Sequence, residues 1–239
     1  MADMKKNLGQ VGEVVKAGAD KAKAMAETAI TPEQMQEFLD FTYEKVKQGI
    51  PNVSRDIDSL AKDYLSKNES IDAAVNSLIR YQLAKCTTSG FLAGLGGFFT
   101  LPYTLAAIPA NITSVLYCQM RMVAAIAKMG GYDLKTDQVK TLVYVCMTGN
   151  AANEVLKNAG VDIGMKIAEA GLDKIPGALL TKINQTVGFR LITKAGTTGT
   201  VNLADWIPVA GGFVSGGFDL VTTKAIAETA KKMFIEKKG

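Results

Sequence analysis

The chain contains no histidine. That removes the commonest general base and the commonest metal ligand, so Ser-His-Asp triads, histidine acid–base pairs and His-bearing zinc sites are excluded. An enzyme built from this sequence would have to work with Asp, Glu, Lys, Tyr or Cys. Cysteine is scarce as well: Cys86, Cys118 and Cys146 are odd in number and widely spaced, with no CxxC pair. They predict reduced, buried thiols rather than a disulfide framework or a metal cluster. No metal and no cofactor is expected. Neither sign of charge dominates, with 27 basic against 23 acidic residues and a net charge of +4. A dense Lys/Arg stripe with interleaved aromatics is missing, which argues against nucleic acid as a partner. The mild basicity suits an anionic membrane surface. No apolar segment follows Met1-Ala-Asp-Met-Lys-Lys, so no signal peptide is predicted and a cytoplasmic address is expected.

What is present is apolar residue and glycine. Hydrophobic residues make up 48% of 239 positions and charged residues 21%, and mean hydropathy is +0.12. This is enough to bury a sizeable core in one domain. The periodicities predict an all-α fold: a single multi-helix domain in which two Gly-rich apolar segments pack centrally. Residues 1–50 read as an N-terminal amphipathic helical arm and 51–239 as the helical domain. Within the arm, Thr31-Pro32-Glu33-Gln34 is a capping box with proline at the first helical position. Its helix should run to Gln48, burying Met35, Phe38, Leu39, Thr42 and Val46, and stop at Gly49-Ile50-Pro51. Further helices are predicted over about 54–66, from Ser70 through Leu83, after Pro102 to Met129, from Asp137 to Met147, and over about 155–171 and 176–193. A C-terminal helix buries Ile226, Ala227, Ala230, Met233 and Phe234, at the spacing of one helical face. Residues 201–206 are the one weak strand candidate.

From residue 86 to residue 120 there is no charged side chain. The run exceeds the roughly 20 residues that span a bilayer. Pro102 and Pro109 interrupt it, and Thr100, Thr104, Asn111, Thr113 and Ser114 are polar. A hairpin dipping into one leaflet and a buried pair of core helices both fit this pattern. Gly90 and Gly94 are spaced GxxxG, as are Gly212 and Gly216, a spacing that lets helix backbones approach closely in lipid or in a tight core. Neither segment is a phosphate loop: Gly94-Leu-Gly-Gly lacks the third glycine of GxGxxG, and no GK[ST] follows. Trp206, the only tryptophan, is either an interfacial anchor or a core residue.

On a helical wheel of the segment after Pro102, Ile108, Ile112, Val115, Met122, Val123 and Ile126 share one face. Ser114, Tyr117, Arg121 and Lys128 lie opposite. Gln119 falls inside the apolar face and Asn111 at its edge. An unpaired buried amide costs about 1–3 kcal/mol, so Gln119 requires a polar partner. Candidate partners are Asn150, Asn153 and Glu154, and Asp219 on the last helix. Arg121 would be neutralised by a carboxylate such as Asp219 or Glu154. These residues read as a polar network joining helices, as the floor of a ligand pocket built from Asn111, Gln119, Arg121, Asn150 and Asp219, or as a carboxylate-based catalytic site.

Several of these residues together resemble the EcsC family. The likeness is carried by Gly94-Leu-Gly-Gly-Phe-Phe-Thr-Leu-Pro102, Leu105-Ala-Ala-Ile-Pro109, Gln119-Met-Arg121, Ile126-Ala127 and Gly131-Tyr132-Asp133. It continues in Ile207-Pro-Val-Ala-Gly-Gly-Phe-Val-Ser-Gly-Gly217 and the helix through Thr222, Ala230 and Phe234. It covers about residues 70–236. The chain departs from the pattern at Thr104, where an acidic residue usually stands, and at Asp219, where an amide does. The resemblance implies an intracellular, helical, membrane-associated protein. It also suggests a membrane transporter as partner, because the family is named for a protein encoded beside one.

The expected function is therefore non-enzymatic: peripheral membrane association, or binding of a lipid-like ligand, with Gln119 and Arg121 supplying polar contacts and Lys231, Lys232, Lys237 and Lys238 assisting at an anionic surface. The alternatives are an accessory subunit of a membrane transporter, a membrane-inserting pore former, or a lipid-acting enzyme. The missing histidine and the missing nucleophile elbow weigh against the last.

Overall fold

Thr31 opens the first helix, α1 (Pro32–Gln48), as the sequence predicts. Its hydroxyl accepts from the Gln34 amide at 3.2 Å while the Gln34 side chain accepts from the Thr31 amide at 3.0 Å. Gly49 ends it with φ +78°. A Cβ there would meet the Ser54 carbonyl oxygen at 2.5 Å, because the chain folds straight back on itself. Ile50 and Ser54 exchange backbone hydrogen bonds at 3.0 and 2.9 Å across this loop. The structure is a computed structural model that describes residues 30–86, 101, 102, 105, 108, 110–160, 175–193 and 215–236.

Among the described residues seven further helices follow: α2 (Ile57–Ser66), α3 (Ile71–Cys86), α4 (Ala110–Met129), α5 (Asp137–Met147), α6 (Ala152–Asn158), α7 (Gly177–Thr193) and α8 (Ser215–Phe234). A 3-10 turn, Gly149–Ala151, joins α5 to α6. Among the described residues there is no strand, so the fold is all-α. Short polar side chains start the helices. Asp56 accepts from the Ser59 amide at 2.8 Å, Ser70 from Ala73 at 3.1 Å and Thr136 from Val139 at 3.3 Å. Of the helix expected over about 155–171, the described part is Ala152–Asn158, ended by Gly160 at φ +87°; residues 161–171 lie outside the described residues. The candidate strand at 201–206 lies outside the described residues.

α4 is the centre of the packing. It contacts α1, α2, α3, α5 and α8, and every residue from 116 to 127 is buried. This corrects the helical-wheel expectation of a polar face on α4. Ser114, Tyr117 and Arg121 are buried like the aliphatic residues opposite them. A helix enclosed on all sides has no solvent face to reserve for polar residues. Within the N-terminal arm, residues 1–29 lie outside the described residues, and α1 packs on α4 and α7 with Phe38, Leu39 and Val46 fully inaccessible, burying the face that the periodicity predicts. Each such side chain contributes about 1.5–3 kcal/mol through burial.

α8 lies alongside α4 and parallel to it. Gln119 meets Thr223 in mid-helix, and Gly130 meets Phe234 at the C-terminal ends, with the same residue offset. Tyr132 seals that end, edge-on to the Phe234 ring at 5.0 Å. The predicted buried face of α8 is observed at Ile226, Ala227, Ala230 and Phe234, with Met233 partly buried.

Candidate functional site

The tight loop after Gly49 places Ser54 and Arg55 over the middle of α4. The Ser54 and Tyr117 hydroxyls are 2.6 Å apart. Two turns of α2, through Leu60, Asp63 and Tyr64, form a second wall. Tyr81 and Gln82 of α3 form the third. Together with Tyr117, Cys118 and Arg121 of α4 these elements enclose a cleft of about 380 Å³.

Arg121 is the unusual member. It is only 7% exposed, and its Nη1 has no hydrogen-bond partner. No described carboxylate forms an ion pair with it. Arg121 feels the like charge of Arg55, which joins burial in lowering its pKa, and in turn helps hold the Asp56 carboxyl below its usual range. The main cause at Asp56 is the hydrogen bonding from Ser59. The main cause at Arg121 is burial, which Tyr117 opposes. A guanidinium starts so high that it stays charged regardless. Burial also pushes the Tyr117 hydroxyl up, against the Ser54 hydrogen bond and the Arg121 charge.

The cleft's one carboxylate, Asp63, is already engaged. Lys67 reaches it at 2.8 Å and Arg55 at 3.2 Å, and these contacts hold its pKa below the ordinary value. Two guanidinium groups thus face a site whose single acid is paired on both oxygens. A second, more open depression between α2 and α4 also carries one positive charge in surplus, but on lysines open to solvent: Lys62 is exposed, and Lys128 pairs with Asp58 at 2.7 Å. Among the described residues no group of three Cys, Asp or Glu side chains could hold a metal ion, and no helix is long and apolar enough to cross a membrane.

Of the five residues expected to bind ligand, Arg121 lines this cleft. Gln119 is buried but points elsewhere. It is two positions and about 200° around α4 from Arg121, and its Nε2 donates to the Thr223 hydroxyl at 2.9 Å. Its partner is therefore neither Asn150 nor Glu154. Asn150 is exposed on the 3-10 turn, and Glu154 pairs with Arg190 at 3.3 Å rather than with Arg121. Asn111 and Asp219 occupy helical backbone in α4 and α8, Asp219 one turn before Thr223. Their side chains lie outside the described residues. Gly216 stands in the first turn of α8. Gly90, Gly94, Gly212, Trp206 and Thr104 lie outside the described residues. Arg55, Tyr64 and Gln82 are lining residues that periodicity did not single out, whereas the wheel had already put Tyr117 on the same side as Arg121. The one sequence signal for them was the arginine embedded in an apolar helix, which requires polar company from distant elements.

Comparison of the chain with protein-family models, with curated proteins and with solved structures gives no match in any of the three.

Proposed function

We propose that this chain is a non-enzymatic helical protein that binds an anionic, lipid-like ligand and associates peripherally with membranes, and that it is related to the EcsC family as its Gly/Pro-rich motifs suggest. The observation that carries the binding reading is that Arg121, a residue lining the cleft, is buried and its Nη1 is unpartnered. Burying a charge without a counter-charge is costly, and a fold that keeps one at the edge of a cavity gains from it when an anion arrives. Val53, Leu60, Tyr64 and Tyr81 give the same cleft apolar and aromatic surface for an organic substituent. The charge-free run from residue 86 to 120 leads directly into α4 and so into the cleft wall. Of the basic residues near the C-terminus, Lys231 is already committed to Asp72 at 2.6 Å and to Asn76 at 3.2 Å. Lys232 is exposed, and it is the described lysine that supports the surface-attraction reading.

Co-sedimentation with vesicles tests the reading. Vesicles containing anionic lipid should carry the protein down at low salt, and high salt should weaken the binding by screening. Protein that stays in the supernatant with every vesicle composition and at both salt concentrations would end the membrane part of the proposal.

A further inference from the structure

We infer that the Arg121 cleft is a phosphate-oxyanion subsite, in which Arg121 and Arg55 grip one phosphate group from two directions while the organic remainder lies against Tyr64, Tyr81 and Leu60. This deepens the proposed function and rests on its premise that the cleft takes an anionic ligand.

Three features favour phosphate over a simple carboxylate. The first is donor direction. Arg121 approaches from α4 and Arg55 from the loop after α1, on separate elements rather than side by side. A planar carboxylate satisfies one fork well, whereas a tetrahedral phosphate offers oxygens to both. The second is charge. Arg55, Arg121 and Asp63 leave the lining with a surplus of one positive charge, and Lys67 adds another at the rim through Asp63. A phosphate ester carrying one to two negative charges matches that surplus. The third is room. About 380 Å³ far exceeds the roughly 30 Å³ share of a water molecule in the liquid, so the cleft holds an oxyanion and an attached group together. Gln82, 4% exposed, adds a buried amide to a wall already rich in donors.

The same oxyanion chemistry is presented by a phospholipid headgroup and by a soluble phosphate ester, and the experiment separates them. Isothermal titration of the full chain with inorganic phosphate and with glycerol 3-phosphate measures the subsite. Co-sedimentation with phosphatidylcholine vesicles, with and without phosphatidic acid, measures the lipid source. Both are run on the wild type, Arg121→Met and Arg55→Ala. The Arg55 side chain is largely exposed, so its removal leaves the fold intact and guards against a misfolded Arg121 variant. Glycerol 3-phosphate should bind the wild type, with affinity lower by roughly tenfold or more in Arg121→Met for the loss of a charge-assisted contact. Arg55→Ala should lose about two- to fivefold, as befits a rim charge. Phosphatidic acid vesicles bound with the same arginine dependence identify the headgroup as the source. Soluble phosphate esters bound without any vesicle binding leave the subsite standing and remove the membrane reading. Absence of binding by either phosphate probe, or equal affinity in all three proteins, overturns the subsite. Vesicle binding that persists in that case keeps the membrane reading without it.

Discussion

The Gln119 side-chain amide donates to the Thr223 hydroxyl at 2.9 Å, in a buried contact between parallel helices that are 104 residues apart in sequence. Both partners are inaccessible to water, so the bond fixes how far α8 slides along α4. Removing one partner strands the other, which costs about 1–3 kcal/mol, whereas removing both is close to neutral. Gln119→Leu and Thr223→Val should therefore each destabilise the protein to urea, and the double variant should be no less stable than the worse single one. Strict additivity across the cycle would show that the two side chains are energetically independent.

Gly130 sits where the end of α4 crosses the last turn of α8. A Cβ there would overlap the Phe234 backbone carbonyl oxygen, an atom that cannot rotate away. Gly130→Ala should destabilise by about 1–3 kcal/mol, the usual range for overpacking. Gly177 is the control. Nothing lies within 4 Å of its added methyl group and its φ is unexceptional, so Gly177→Ala should be neutral or slightly stabilising. Equal midpoints of thermal unfolding for the two variants would remove the close-approach argument.

These two contacts also mark how far the sequence could be read. α1 was legible in full because its signals are local: a capping box, a proline at the first turn, and a glycine at the stop. The demand of Gln119 for a partner was legible, but Thr223 was not, since an isolated threonine on an amphipathic helix carries no sign of what faces it. The wheel set Ser114, Tyr117 and Arg121 opposite the aliphatic face of α4, but it measures polarity along one helix and knows nothing of the five helices around it. The cleft was visible only as an arginine in an apolar segment. Its other walls come from a loop and two helices that meet through contacts such as Ser54 to Tyr117, 63 residues apart.

Tyr43 and Tyr144 stack edge to face at 5.8 Å, with their hydroxyls donating to the Leu134 carbonyl at 2.9 Å and to Asp40 at 2.8 Å. Burial is the main cause raising both hydroxyls above their ordinary pKa of 10, with nearby carboxylates adding to it, Asp40 for Tyr144 and Glu44 for Tyr43. An acid whose folded pKa exceeds its unfolded value holds more protons when folded. Its contribution to stability is complete below about pH 10 and declines as pH rises beyond that. Tyrosinate absorbance from Tyr43 and Tyr144 should accordingly appear only as helical circular dichroism is lost. Full ionisation of all tyrosines with the helix signal intact would contradict the burial argument. Tyr144→Phe should move the alkaline transition to higher pH.

Arg121 sets binding against stability. Replacing one partner of a buried ion pair is normally harmful because the other charge is left alone. Here no described carboxylate is paired with Arg121, and Tyr117 keeps its 2.6 Å contact with Ser54 when the guanidinium goes. Asp56 keeps its Ser59 cap, the larger influence on its ionisation. Methionine refills most of the aliphatic volume without a charge to desolvate. Arg121→Met should therefore match or exceed the wild type by about 1 kcal/mol in denaturant unfolding without ligand, and its midpoint should no longer rise when a phosphate ester is added. A variant less stable than wild type by several kcal/mol would mean that the guanidinium is a structural tie whose partners matter more than the cleft.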